Sequence, residues 1–189
     1  MDDRRSDHVV LVAPDGMPLG TALKSAVHTA HTPLHRGFSC HLTNPLGQVL
    51  VTRRSLTKRT WPGVWTNSFC GHPAPGESLE EAVMRHARHE LNIEVTDVTP
   101  VLPDFSYRAV DASGVVEHEI CPVVTAALDG DPVPNPDEVL DWRWTSTDRL
   151  RAAVDAAPWA FSPWLVLQVP AMALYGSAGE SPHTPEGSP

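Results

Sequence analysis

The stretch GHPAPGESLEEAVMRHARHELNI, residues 71–93, decides how the rest of the chain is read. Ser78-Leu79-Glu80-Glu81 is a capping box, in which a Ser hydroxyl and a Glu carboxylate three residues on satisfy two orphan amides at a helix start. A helix is therefore predicted to about Leu91. At roughly 100° per residue, Leu79, Val83, Ala87 and Leu91 trace one apolar arc, while Glu81, Arg85 and Arg88 point away. Glu90 breaks the pattern. It projects inside the arc, where a carboxylate is costly unless it is paired or metal-bound.

Working outward, residues 8–13, 37–44 and 48–53 read as strands, the last two joined by the turn Asn44-Pro45-Leu46-Gly47. Further strands are expected over 98–110, with Pro103 interrupting, over 115–128 and over 139–145. Helices are expected near 147–156 and 162–174. Strands and helices interspersed in this order predict a mixed sheet packed by helices, an α/β or α+β fold.

At 189 residues the chain fits one compact domain, taken as 1–175. Residues 176–189 are almost all small, Pro and polar, so this Gly/Ser/Pro-rich tail is expected to be disordered. With 41% hydrophobic and 20% charged residues, the body has ordinary globular composition. The net charge of −9 argues against a nucleic-acid partner, because phosphate-backbone binding needs clustered Lys and Arg. Cys40, Cys70 and Cys121 are an odd set without CxxC spacing, which points away from a disulfide framework and a cysteine-zinc site. The apolar run from Val9 to Ala13 is too short for a signal-peptide core or a membrane span. A cytoplasmic protein, a monomer or weak homodimer without a membrane partner, is expected.

Three segments carry candidate chemistry. WPGVWTNSFCGHP, residues 61–73, concentrates two Trp, a Cys and a His, though a Trp-packed loop explains it equally well. His28 and His35 bound HTAHTPLH, where Pro33 makes a loop or helix end more natural than a continuous helix. In residues 115–121, strand periodicity puts Glu117 and Glu119 on one face with Val115 and Cys121. A shared cation would remove the like-charge cost of that pair, and mixed imidazole and carboxylate ligands suit Mn, Fe or Zn. A solvent-exposed sheet face is the competing explanation.

The spacing G-x5-E-x7-R of Gly71, Glu77 and Arg85, followed by Glu90, resembles a damaged Nudix box. His86 and His89 stand where that box has Glu, and Asn92 where it has Gly, so one carboxylate survives. Over residues 8–164 the chain resembles the type I isopentenyl-diphosphate isomerases. HTAHTPLHRGFS, VTRRSLTKRTWPGVWTNSFCGHP, GESLEEAV, PDFSYRA, VEHEICPV and PWAFSPW occur in order. The resemblance implies a Nudix-type mixed sheet sandwiched by helices. It also implies 1,3-allylic rearrangement of isopentenyl diphosphate to dimethylallyl diphosphate, and so a place in isoprenoid biosynthesis. A Nudix diphosphohydrolase and a noncatalytic binding protein are the alternatives.

By position, the resemblance implies that His28, His35, His72, Glu117 and Glu119 bind one divalent ion, Mn2+ or Zn2+. Glu90 and the Cys70 carbonyl are implied to hold Mg2+ against the diphosphate, with Lys24, Arg54 and Lys58 contacting that group; no flavin is expected. Arg53 and Arg59 are read as surface residues and His31 as a bystander. His86 departs from the family, whose relatives place an Arg near the phosphates. Moving a double bond by one position requires adding one proton and removing another. Glu119, near Tyr107, matches the group that protonates the terminal methylene, and Cys70, as a thiolate with its pKa lowered by nearby cations, the one that deprotonates C2. Trp164 matches the aromatic face that stabilises the carbocation between those steps.

Overall fold

The computed structural model describes residues 7–176. The tail expected over 176–189 lies outside the described residues, apart from Gly176. Two sheets carry the fold. The first runs β2 (Pro18–Leu23), β1 (His8–Val12), β3 (His35–Arg36), β10 (Val116–Ile120) and β9 (Ser106–Val110). The second runs β12 (Val139–Ser146), β5 (Gln48–Arg54), β4 (Phe38–Thr43), β11 (Val123–Ala127) and β8 (Thr96–Leu102). Here β6 (Trp65–Thr66) pairs with β5 and β7 (Phe69–Gly71) with β4.

One mixed sheet was expected and two are present, because the chain changes sheet at two adjoining places. The continuous strand expected over 115–128 divides at Cys121-Pro122, since Pro122 has no N–H to continue a ladder. The strand expected from residue 37 is preceded by a short partner, β3, in the other sheet, with Gly37 at the crossing. The parallel pairs β10–β3 and β11–β4 run on either side of these crossings. Gly37 N–H donates to the Ile120 carbonyl (2.9 Å) and Ser39 N–H to that of Pro122 (3.0 Å), which ties the two crossings together.

The second sheet is packed on both faces. Leu50, Val124 and Ala126 face α2 (Leu79–His86) and its continuation over Ala87–Leu91, while Val49, Val51 and Val123 face α3 (Thr147–Ala156) and α4 (Pro163–Ala171). That is the period of two expected of a strand buried on both sides. The predicted capping box is formed: Glu81 N–H donates to Ser78 Oγ, and Ser78 N–H to the Glu81 carboxylate. Val83, Ala87 and Leu91 are buried, Leu79 partly so. The last turn widens into a π-helix, and Asn92, at φ 52°, ends it in the left-handed conformation.

The interruption at Pro103 separates β8 from β9, and α3 spans the predicted residues. The last helix stops at Ala171, three residues short of expectation, with Pro170 inside its final turn. Sequence patterning misses β2 because its PLGTAL lies almost wholly at the surface, leaving no buried face to alternate. It also misses β6, β7 and the one-turn α1 (Lys24–Val27), each too short to show a period.

Candidate active site and metal centre

Strand register brings the site together. Glu119 on β10 lies opposite His35 of β3 on one side and Tyr107 of β9 on the other. Glu117, two residues earlier, shares its face, and both carboxylates are buried rather than on an exposed sheet face. The close approach of Glu119 depends on Gly37, because a Cβ there would overlap the carboxylate.

His28, His35, His72 and Glu119 offer ligand atoms within 4.8 Å of one another. His35 Nδ1–H donates to the Pro33 carbonyl at 2.9 Å, which fixes the ring and turns the Nε2 lone pair inward. That Nε2 lies 3.2 Å from His72 Nε2, which is itself 3.0 Å from Glu119 Oε1. Burial lowers the His72 pKa to about 4, so the ring is neutral, the form that ligates a metal. Glu119 lies against these rings. Burial would raise its pKa, but its close contacts with the His35 and His72 imidazoles outweigh that and hold it well below the carboxylate range.

Glu117 stands beside this set. Its Oε1 accepts from Thr60 Oγ1 at 2.7 Å, and its Oε2 lies 2.9 Å from His28 Nε2. That last pair is not aligned as a hydrogen bond, so both buried atoms lack a partner. Two orphaned donor atoms beside converging imidazoles and a carboxylate fit a divalent cation, which would satisfy all of them at once.

His28, His72, Glu117 and Glu119 line a cleft of about 260 Å³, whose other end is cationic. Lys24, Arg54, Lys58 and Glu90 all reach it, and Arg59, exposed at the surface as read, stands at its edge. Glu90 accepts from His86 Nδ1 at 2.9 Å. Burial works against its ionisation, but this bond and the charges of Lys58 and Lys24 win, holding it at about 2. Lys24 has a lowered pKa although it is exposed at the surface, because crowding around its ammonium outweighs attraction to Glu90. Lys58 is ion-paired with Glu138, a residue with no sequence signal of its own. Arg54 Nε and Nη2 donate to the Thr60 carbonyl, and Nε also to Trp61, while the guanidinium lies 5.3 Å from the Trp164 ring centre.

Cys70 enters the same cleft from the second sheet, on β7. Its Sγ lies 3.3 Å from Ser39 Oγ and donates to Asn67 Oδ1 at 3.3 Å. The expected lowering of its pKa is reversed. Burial pushes the thiol up to about 12, against the weaker pull of Ser39, Asn67 and the Arg54 charge. Trp164, at the start of α4, is both a buried core residue and a cleft wall, and its indole N–H also donates to Asn67 Oδ1 (2.9 Å). Asn67 Nδ2 donates to the Cys40 and Phe69 carbonyls, so this amide locks Cys70 and Trp164 to one frame. Tyr107 is buried 5.7 Å from the Trp164 ring. Cys40 and Cys121 are buried and free, and His31 is exposed, as read.

Sequence reasoning missed Gly37, Asn67, Thr60 and Glu138. Asn67, between two aromatic clusters beside Cys70, carried the clearest available signal. The helix at the cleft keeps a framework and lacks acids. Arg85 grips Glu77 through two 2.7 Å contacts and donates to the His72 carbonyl, while Glu77 accepts from Ala74 N–H. Gly71 is required by close approach, since a Cβ would overlap the His86 ring.

A two-sided mixed sheet with this G-x5-E-x7-R turn and helix defines a NUDIX domain, and the NUDIX domain model matches residues 33–165. Among solved structures, DR0079 from Deinococcus radiodurans superposes with a TM-score of 0.69 at 25% identity, covering 87% of this chain and 98% of that one. A MutT protein from Methanosarcina mazei, at 23% identity and a TM-score of 0.53, shares the fold over 64% of this chain and 82% of its own.

The chain belongs to the isopentenyl-diphosphate Delta-isomerase family. It is 57% identical over 178 residues to the isopentenyl-diphosphate Delta-isomerase of Leifsonia xyli subsp. xyli, covering 93% of this chain and 95% of the relative. To that of Kocuria rhizophila it is 58% identical, covering 92% and 96%, and to that of Citrobacter koseri 55%, covering 86% and 90%.

Proposed function

We propose that this chain interconverts isopentenyl diphosphate and dimethylallyl diphosphate by protonation and deprotonation. The observation that carries the reading is that Cys70 and Glu119, supplied by different sheets, line one cleft with Trp164, His28 and His72. Family membership supports the same reaction. Glu119 donates a proton to the terminal methylene carbon, the double-bond electrons form the new C–H bond, and positive charge is left on the tertiary carbon. Trp164 offers that cation an aromatic face where no hydrogen-bonding atom could hold it. Cys70 removes a proton from C2, and the C–H electrons become the new double bond.

One proton enters and one leaves the substrate, so the pair is reset by exchanging protons with solvent. Residues at rest as thiol and carboxylate are the correct pair for the reverse direction, in which the roles exchange. Tyr107, beside Glu119 in the ladder, positions that carboxyl group.

His28, His35, His72, Glu117 and Glu119 are the ligands proposed for one ion, Mn2+ or Zn2+, and Glu90 with the Cys70 carbonyl for Mg2+. When bound, the ions supply positive charge that fixes Glu119 in place and neutralises diphosphate oxygens. Lys24, Lys58 and Arg54 add cations at that end, with Lys58 released from Glu138 as it turns to the substrate. The missing acidic run after Arg85 removes the support for a diphosphohydrolase. Among the described residues no helix is long and apolar enough to cross a membrane. A cytoplasmic monomer or weak homodimer acting on a small diphosphate is the setting proposed.

The test is incubation of isopentenyl diphosphate in D2O with and without EDTA. Deuterium entering the terminal methylene carbon and C2 without EDTA, and neither with it, supports the reading. Phosphate release without deuterium uptake overturns it, as does turnover by Cys70→Ala.

A further inference from the structure

Behind Cys70 a polar chain runs into the core through residues that the reaction above does not use. Cys70 Sγ lies 3.3 Å from Ser39 Oγ, and Ser39 Oγ 3.1 Å from the Gln168 amide. The same amide position lies 2.9 Å from His41 Nε2, and His41 Nδ1 lies 2.6 Å from Tyr175 Oη. Ser39, His41 and Gln168 are each at most 1% exposed. Four polar groups buried in the core, with Ser39 and His41 of β4 both joined to Gln168 of α4, form a costly arrangement unless every member is satisfied.

The direction of the chain turns on Gln168. In one orientation Oε1 receives both contacts, and Nε2, fully buried, has no partner. That leaves two amide hydrogens unsatisfied in the core. In the other orientation the nitrogen occupies the shared position and donates one hydrogen to Ser39 Oγ and one to His41 Nε2. Only a carbonyl oxygen is then left over, which costs less than an orphaned amide nitrogen. Amide oxygen and nitrogen have the same shape, so hydrogen bonding alone decides between them.

We propose that the Gln168 amide donates to Ser39, so that the Ser39 hydroxyl donates to the Cys70 sulfur, making Gln168 and Ser39 positioning residues for proton transfer at Cys70. His41 is then neutral with its proton on Nδ1, donated to Tyr175 Oη. Ser39 has one hydroxyl hydrogen and accepts from Gln168, so its own hydrogen points at the sulfur. The Cys70 proton is meanwhile directed at Asn67 Oδ1, which can only accept. No proton moves along the chain. When sulfur takes up or gives up a proton, it does so facing a fixed donor, and that donor favours the sulfur most when its charge is negative. The inference rests on Cys70 being the acid-base residue proposed above.

The first measurement is the ring nitrogen spectrum of His41 in the metal-loaded protein by 15N NMR. A proton on Nδ1 is expected, and a proton on Nε2 overturns the proposal. The second is steady-state kinetics of Ser39→Ala, Gln168→Leu and the double variant on isopentenyl diphosphate. Each single change should lower kcat roughly ten- to a hundredfold with KM within about twofold, the range for loss of one hydrogen bond to a charged group. The double variant should be no slower than the slower single one, because both act through the same bond.

Unchanged kcat, or losses that multiply in the double variant, would sink the idea. If Gln168→Leu does not fold, Ser39→Ala decides alone, by the same kcat criterion. Cys70→Ala measured in parallel separates the two readings. Turnover surviving in Cys70→Ala refutes the acid-base role. Its loss there with full activity in Ser39→Ala and Gln168→Leu refutes only the positioning role.

Discussion

Gly37 lies directly against Glu119, so closely that no side chain fits between them. It occupies the point where the chain leaves the first sheet for the second, and its N–H is fixed to Ile120, the residue after Glu119. The carboxylate can therefore turn toward His35 and His72 instead of away from the strand.

Gly37→Ala should displace Glu119 and weaken divalent metal binding by roughly ten- to a hundredfold, the cost typical of misplacing a metal site's supporting shell. Isothermal titration with Mn2+ and with Zn2+ checks this, alongside circular dichroism to show that the fold persists. Affinity equal to the parent's would mean that Glu119 is not held by this contact.

Trp164→Phe keeps an aromatic face but removes the indole N–H that Asn67 receives. A drop of about tenfold in kcat is expected, since cation–π contacts contribute about 0.5–2 kcal/mol. Trp164→Ala, which also empties a buried site, should lose far more, with a lower Tm. Parent-like kcat in Trp164→Ala would remove the aromatic role from this ring, and an unchanged Tm and kcat in Trp164→Phe the role of its bond to Asn67.

His41 sets a pH dependence of stability. It is buried, and burial lowers its pKa to about 4, so the unfolded chain takes up the proton first as pH falls. Its contribution is complete above about pH 6.5 and is lost progressively down to about pH 4, amounting to at most about 3 kcal/mol. Urea midpoints at several pH values in that window should fall more steeply for the parent than for His41→Gln. Parallel curves would contradict the assignment.

Leu91→Ala removes a fully buried side chain packed between α2 and the second sheet. It should cost about 2–5 kcal/mol in urea or thermal unfolding. Because Glu90 sits next to it on the same widened turn, Mg2+ dependence of turnover should shift as well, read from rates across a Mg2+ series.

Much of the fold was legible where local physics decides it. The capping box at Ser78, the arc from Leu79 to Leu91 and the Pro103 break depend on residues within a few positions of one another. The buried placement of Glu90 followed from the same helical periodicity, and its partner His86 stands one turn away. Glu117 and Glu119 were correctly put on one face, but alternation alone does not say whether that face meets water.

The pKa of Cys70 shows where such reading stops. Beside a histidine and a group of cations the thiol was expected to be lowered, yet burial, a property of the folded surroundings, dominates and raises it. Ser39 stands 31 residues from Cys70, and Gln168 a further 129 from Ser39, and nothing local marks either as a neighbour of that sulfur.

The sequence by itself determined the elements, the apolar faces and the residue types able to carry metal and proton chemistry, because those follow from short-range periodicity, capping and side-chain chemistry. Only the tertiary structure decided that the chain uses two sheets, that His35 and Tyr107 flank Glu119, and that Asn67 binds Cys70 and Trp164 to one frame. Those contacts join residues far apart in the chain. They exist because Gly37 and Pro122 switch the strands between sheets at adjoining points, and no local pattern encodes which distant strands will meet there.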